Sequence, residues 1–126
     1  MYLLDTHALV FFLDDNPDLP AKIRDVIESE ENLYISIASF WELAIKESIG
    51  KIKLPAAIHE LMDYCIDNGI FIIPIEADHL SRIKDLPKYH GDPFDRMIIC
   101  QAMVHDLTIV TRDGFIPRYN VKTIWK

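Results

Sequence analysis

Apolar residues along this chain come in short runs that alternate with stretches of helical spacing. Tyr2-Leu3-Leu4 reads as a strand, and a short helix follows through Ala8 to Leu13. Pro17 and Pro20 mark a break. Ala21 to Glu30 then resumes helical periodicity, with Ile23, Val26 and Ile27 on one face. Leu33 to Ile37 predicts a second strand, and Ala38 to Ile49 a helix ended by Gly50. Pro55 opens another helix running to about Asn68, where Asn68-Gly69 stops it. Ile70 to Ile75 predicts a third strand and Ala77 to Leu86 a helix. Phe94 to His105 predicts an apolar helix, Thr108 to Val110 a fourth strand and Val121 to Trp125 a fifth. Strands alternating with helices imply βαβ units and a mainly parallel α/β sheet. The strands are continuous apolar runs, as expected of a sheet covered on both faces.

Composition narrows the picture. At 126 residues, half of them hydrophobic, the chain fits one domain spanning residues 1–126. Asp5 interrupts the first apolar run, so no secretory signal is expected. No apolar run approaches the roughly 18 residues that cross a bilayer. A soluble, cytoplasmic protein away from membranes is expected. Cys65 and Cys100 sit among apolar residues in helical segments and read as buried free thiols. The net charge of −7 argues against a broad basic nucleic-acid groove. It leaves room for a nuclease that meets phosphate through bound cations.

Four carboxylates stand out. In parallel sheets, ligands bind beyond the carboxyl ends of the strands, and Asp5 and Asp113 both follow predicted strands. Either can also be explained locally, Asp5 as a helix N-cap and Asp113 as a turn residue before Gly114. Glu42 shares a helix face with Ala38, Trp41, Ile45 and Ile49, which is the stripe expected to be buried. Asp95 lies three and four residues before Ile98 and Ile99, near a helix N-terminus that favours an anion. Brought together, each adjacent pair of charges costs roughly 4 kcal/mol at about 4 Å and an effective dielectric of 20. Such a cluster must protonate or bind cations. Carboxylate oxygens suit Mg²⁺ or Mn²⁺.

At these positions the chain resembles the VapC toxin type of PIN-domain ribonuclease, one half of a toxin–antitoxin pair. The resemblance runs through Leu4-Asp5-Thr6-His7-Ala8, Ser36, Ser39-Phe40-Trp41-Glu42 with Lys46, and Gly50-Lys51-Ile52. It continues through Leu86-Pro87, His90, Asp92-Pro93-Phe94-Asp95-Arg96, Gln101-Ala102, Thr111-Arg112-Asp113, Tyr119 and Trp125. It implies a three-layer α/β/α sandwich with a five-stranded sheet. It implies that Asp5, Glu42, Asp95 and Asp113 form a catalytic cluster holding Mg²⁺ or Mn²⁺, and that RNA phosphodiesters are cut by water which the ion activates. It also implies a VapB-like antitoxin partner and a homodimer.

Several neighbours have two readings each. Thr6 and Ser39 resemble the small hydroxyl residues lining such a site, or are capping residues. Thr111 supports Asp113 or simply ends a strand. Asp92 reads as an N-cap with Pro93 at the first helical position, or reaches a second metal. Arg96 and Arg112 bind phosphate or pair with the acids. Lys46, Lys51 and Lys53 form a strip that guides RNA backbone or is simply solvated. His7 and His90 are substrate contacts or structural residues. Phe11, Phe12, Phe40 and Trp41 read as core or dimer-interface residues, and the apolar run from Leu9 to Leu13 suggests burial on more than one side.

Two other classes compete with this reading. An aspartyl-phosphate phosphatase or receiver also gathers aspartates at strand ends, but such phosphatases carry a second aspartate two residues after the first, where this chain has His7. A non-catalytic binding module that keeps the fold is opposed by the complete set of acids.

Overall fold

The computed structural model describes residues 1–29 and 32–126. The end of the predicted Ala21–Glu30 helix therefore lies outside the described residues. Five strands form one sheet in the order β3-β2-β1-β4-β5. They are β1 (Tyr2–Leu4), β2 (Leu33–Ser36), β3 (Ile70–Ile73), β4 (Thr108–Val110) and β5 (Thr123–Ile124), and every pairing is parallel. The helices are α1 (Thr6–Leu13), α2 (Ala21–Ser29), α3 (Ile37–Ser48), α4 (Ile58–Asp67), α5 (Ala77–Asp85) and α6 (Pro93–His105).

Both faces of the sheet are covered, because successive strand residues point to opposite sides. Leu4 and Val110 join a core with Leu9, Ile23, Phe40, Leu43, Leu61 and Cys65, which draws on α1 to α4. Leu3 and Ile109 join a second core with Ile98, Ile99, Cys100, Ile116 and Tyr119, behind which α6 lies. The result is the three-layer α/β/α arrangement. Cys65 and Cys100 are buried free thiols, and burial pushes the Cys65 thiol up to about 11.

Several boundaries differ from the sequence reading, each for a local reason. Helix α4 begins at Ile58, with Ala57 at its N-cap, so Pro55 lies in the preceding turn and does not open the helix. Strand β3 stops at Ile73 because Pro74 lacks the N–H that a ladder needs. β5 is only Thr123–Ile124, and a 3₁₀ turn at Ile116–Arg118, absent from the sequence reading, precedes it. Gly50 and Gly69 do end α3 and α4, both in the left-handed region at φ 73° and 77°.

The largest correction concerns α3. Its buried face carries Ala38, Ser39, Phe40, Glu42 and Leu43. Of the stripe expected to face the core, Ala38 and Glu42 are buried, but Trp41 is exposed at 57%, Ile45 at 40% and Ile49 at 59%. Phe40 and Leu43 fill the core, so helical geometry turns Trp41, Ile45 and Ile49 outward. Trp41 packs edge-on against Phe94 of α6, with ring centres 5.1 Å apart.

Candidate active site

The strand order places the topological switch between β1 and β4, since the chain builds outward from β1 to β3 and then returns to β4. Leu4 pairs with Val110, so Asp5 and Thr111 each follow the end of one of two adjacent strands. The Asp5 N–H extends the ladder by donating to Val110 O at 3.1 Å. The Asp5 side chain also caps α1, with Oδ1 accepting from Ala8 N–H at 2.8 Å. Its local and site roles are therefore compatible. The Thr111 hydroxyl donates to the same carboxylate and accepts the Asp113 N–H at 3.0 Å. Asp113 turns the chain as well, since its Oδ1 accepts from Phe115 N–H at 2.7 Å and Ile116 N–H at 3.2 Å.

Asp95 arrives from α6. Asp92 is that helix's N-cap, with Oδ1 accepting from the N–H groups of Phe94 and Asp95, and Pro93 follows it. The first turn thereby aims Asp95 toward the strand ends. His90 Nε2 lies 3.3 Å from Asp95 Oδ2.

Electrostatics couples these acids. Burial pushes the Asp5 carboxyl above its ordinary range, and the Asp113 charge adds to that. The Thr111 and Ala8 hydrogen bonds and the His7 charge pull the other way. Asp95 is pushed up to about 6, first by burial and then by Asp92, with Asp113 and Asp5 contributing and His90 opposing. Asp5, Asp95 and Asp113 thus share one field, as a proton- or cation-seeking cluster does.

Glu42 comes from α3. It is 4% exposed; Oε2 accepts from Lys46 Nζ at 2.8 Å, while buried Oε1 has no hydrogen-bond partner among the described residues. Thr6 Oγ1 and Ser39 Oγ, both buried, meet at 2.9 Å. That contact ties the residue after Asp5 to the helical turn before Glu42. The N-cap of α3 is Ser36, so Ser39 acts as this tether. The carboxylate donor set and the unpartnered Glu42 oxygen both fit a hard divalent cation.

The remaining candidates lie elsewhere. Arg96 donates to Leu86 O, Pro87 O and the Tyr119 hydroxyl rather than to a carboxylate. Arg112 is exposed and lies 4.6 Å above the Phe11 ring. His7, Lys51 and Lys53 are exposed.

Glu76, His79 and His105 bring donor atoms within 4.8 Å of one another, a cluster the sequence reading missed because its members come from two helices. His105 is ten residues along α6 from Asp95, about 15 Å of helix. His79 Nδ1 accepts from Glu76 N–H at 3.0 Å, so the proton of the neutral ring is on Nε2, directed at His105 Nε2 at 2.9 Å. Burial, then the charge of His105, lowers the His79 pKa. The histidine pair is already joined by a proton and links α5 to α6.

A parallel α/β sheet with buried carboxylates flanking its switch point defines a class of proteins with an acidic, cation-seeking site. The model of the PIN domain family matches residues 2–122, and the chain belongs to that family. No curated protein matches it in sequence. Among solved structures, VapBC2 from Rickettsia felis, bound to a promoter DNA fragment, is similar with a TM-score of 0.74. Its identity is 19%, and the match covers 99% of this chain and 98% of that one. FitAcB from Neisseria gonorrhoeae gives 0.66 at 22% identity, covering 98% and 96%. A toxin–antitoxin complex from Klebsiella pneumoniae gives 0.58 at 20% identity, covering 90% and 87%. At these identities the likeness speaks for the fold. Among the described residues no helix is long and apolar enough to cross a membrane.

Proposed function

We propose that the protein is a divalent-metal-dependent endoribonuclease of the VapC type, acting in the cytoplasm and restrained by a cognate antitoxin. The observation that carries this reading is the mutual repulsion of Asp5, Asp95 and Asp113, which with burial raises the proton affinity of Asp5 and Asp95; a buried Glu42 oxygen on α3 with no partner among the described residues adds to it. Buried carboxylates in this condition are costly unless a cation joins them. Asp5, Glu42, Asp95 and Asp113 are the residues that would hold Mg²⁺ or Mn²⁺. Bound there, such an ion supplies a polarised scissile phosphate and a more acidic attacking water.

The protein's own part is positioning. Thr111 orients Asp5 by donating to its carboxylate, and the Asp113 N–H anchors that threonine. Lys46 holds one oxygen of Glu42 and leaves the other available. The Thr6–Ser39 contact keeps α1 and α3 in fixed relation, so two acids from different helices keep their spacing. An RNA strand would approach these residues at the carboxyl ends of β1 and β4.

The antitoxin and homodimer parts of the reading draw on the VapC resemblance and on the exposed Trp41, Ile45 and Ile49 stripe. A row of large apolar side chains beside an acidic site suits a covering protein partner. The test compares wild type with Asp5→Asn on mixed RNAs in Mg²⁺, Mn²⁺ or EDTA. Cleavage is expected from the wild type with metal and from neither protein in EDTA, with the variant inactive yet folded. Equal cleavage by both proteins defeats the mechanism.

A further inference from the structure

Asp95 is held by a chain of hydrogen bonds whose directions follow from counting donors. His90 Nδ1 lies 2.9 Å from the Tyr119 hydroxyl. That hydroxyl is also 3.2 Å from Arg96 Nη1 and 3.3 Å from the His90 backbone nitrogen. A phenol has one O–H to give and lone pairs for two donors. The Arg96 and His90 N–H groups can only donate, so they take the lone pairs. The Tyr119 O–H is left for His90 Nδ1. Nδ1 is then an acceptor, and the proton of the neutral imidazole is on Nε2, aimed at Asp95 Oδ2.

Every member of the chain is fixed from outside. Arg96 also donates to Pro87 O at 2.8 Å and Leu86 O at 3.2 Å. Tyr119 is 3% exposed and packs edge-on against Tyr89, with ring centres 4.9 Å apart. The His90 ring stacks on Phe115 at 5.3 Å with planes 6° apart. Asp95 Oδ1 has no protein hydrogen bond among the described residues, while Oδ2 is taken by His90.

We propose that Arg96, Tyr119 and His90 form a positioning relay that locks His90 in its Nε2–H tautomer, so that the imidazole holds one oxygen of Asp95 and presents the other to the cation. The inference rests on the metal-dependent reading of the site. None of the three need touch substrate. Hydrogen bonds from outside the ligand set typically change metal affinity or activity about 10- to 100-fold when removed.

Tyr119→Phe removes the hydroxyl and keeps the ring. A histidine-selective ¹⁵N correlation spectrum is expected to show His90 purely as Nε2–H in the wild type and as a tautomer mixture in the variant. Titration followed by the EPR signal of free Mn²⁺ is expected to show about 10- to 100-fold weaker binding by Tyr119→Phe. His90→Gln keeps a donor for Asp95 and His90→Leu does not, so binding by the former is expected to fall between wild type and the latter. This pair carries the test if Tyr119→Phe fails to fold. Wild-type Mn²⁺ binding matched by Tyr119→Phe, or wild-type His90 protonated on Nδ1, overturns the relay and leaves the metal site standing. No Mn²⁺ binding by the wild type overturns both.

Discussion

Replacing Asp95 with Asn isolates the electrostatic cost of the site in one substitution. In the metal-free protein the Asp95 carboxyl titrates near 6 instead of 3.8, chiefly through burial and then through Asp92. A carboxylate whose folded pKa is raised makes folding less favourable above that pKa, because the unfolded chain ionises more easily. The cost disappears as pH falls through the folded and then the unfolded value. Between 3.8 and about 6 the linkage integral is about 3 kcal/mol at pH 7, under about 2 at pH 5 and under about 1 at pH 4. Asn cannot ionise, so Asp95→Asn removes this cost. It also weakens the bond from His90 Nε2, which takes back about 1 kcal/mol. EDTA-stripped Asp95→Asn is therefore expected to be about 2 kcal/mol more stable than wild type at pH 7. That advantage shrinks steadily toward pH 4. Urea unfolding at several pH values measures both curves, and their difference cancels opposing groups such as His79, whose lowered pKa makes folding less favourable as pH falls. A variant less stable than wild type at pH 7, or a difference independent of pH, would refute the reasoning. Saturating Mn²⁺ is expected to reverse the order, because only the wild type keeps the full ligand set.

Other outcomes follow from the same structure. Phe40→Ala empties a fully buried site in the core shared by α1, α3 and the sheet, and is expected to cost about 3–5 kcal/mol in urea unfolding. Ile49→Asp changes a residue 59% exposed, so monomer stability is expected to move by under about 0.5 kcal/mol. If the antitoxin covers the α3 stripe, calorimetry with that partner will show binding at least about 10-fold weaker, roughly 1.4 kcal/mol. Cys65 and Cys100 are buried, and the Cys65 thiol is held at about 11. Mass spectrometry after brief iodoacetamide treatment at pH 7.5 is expected to find both unlabelled until denaturant is added.

The alternation of apolar runs and helical spacing determined the five strands, a mainly parallel sheet and its two covered faces, because burial on both sides leaves a continuous apolar signature; the order β3-β2-β1-β4-β5 was decided by the tertiary structure. Three of the candidate acids stood out for a related reason: Asp5 directly follows β1, Asp113 comes three residues after β4, and Asp95 sits in a first helical turn beneath an N-cap and a proline. The exposure of Trp41, Ile45 and Ile49 was decided by tertiary structure. Helical spacing identifies a stripe, but only the packing of Phe40 and Leu43 fixes which stripe faces the core. Register made Thr111 a neighbour of Asp5, and neither residue type announces that pairing. The Arg96–Tyr119–His90 chain spans up to 29 residues of sequence, and the His79–His105 contact spans 26. Such partners are brought together by a shared three-dimensional address, which local propensity does not encode.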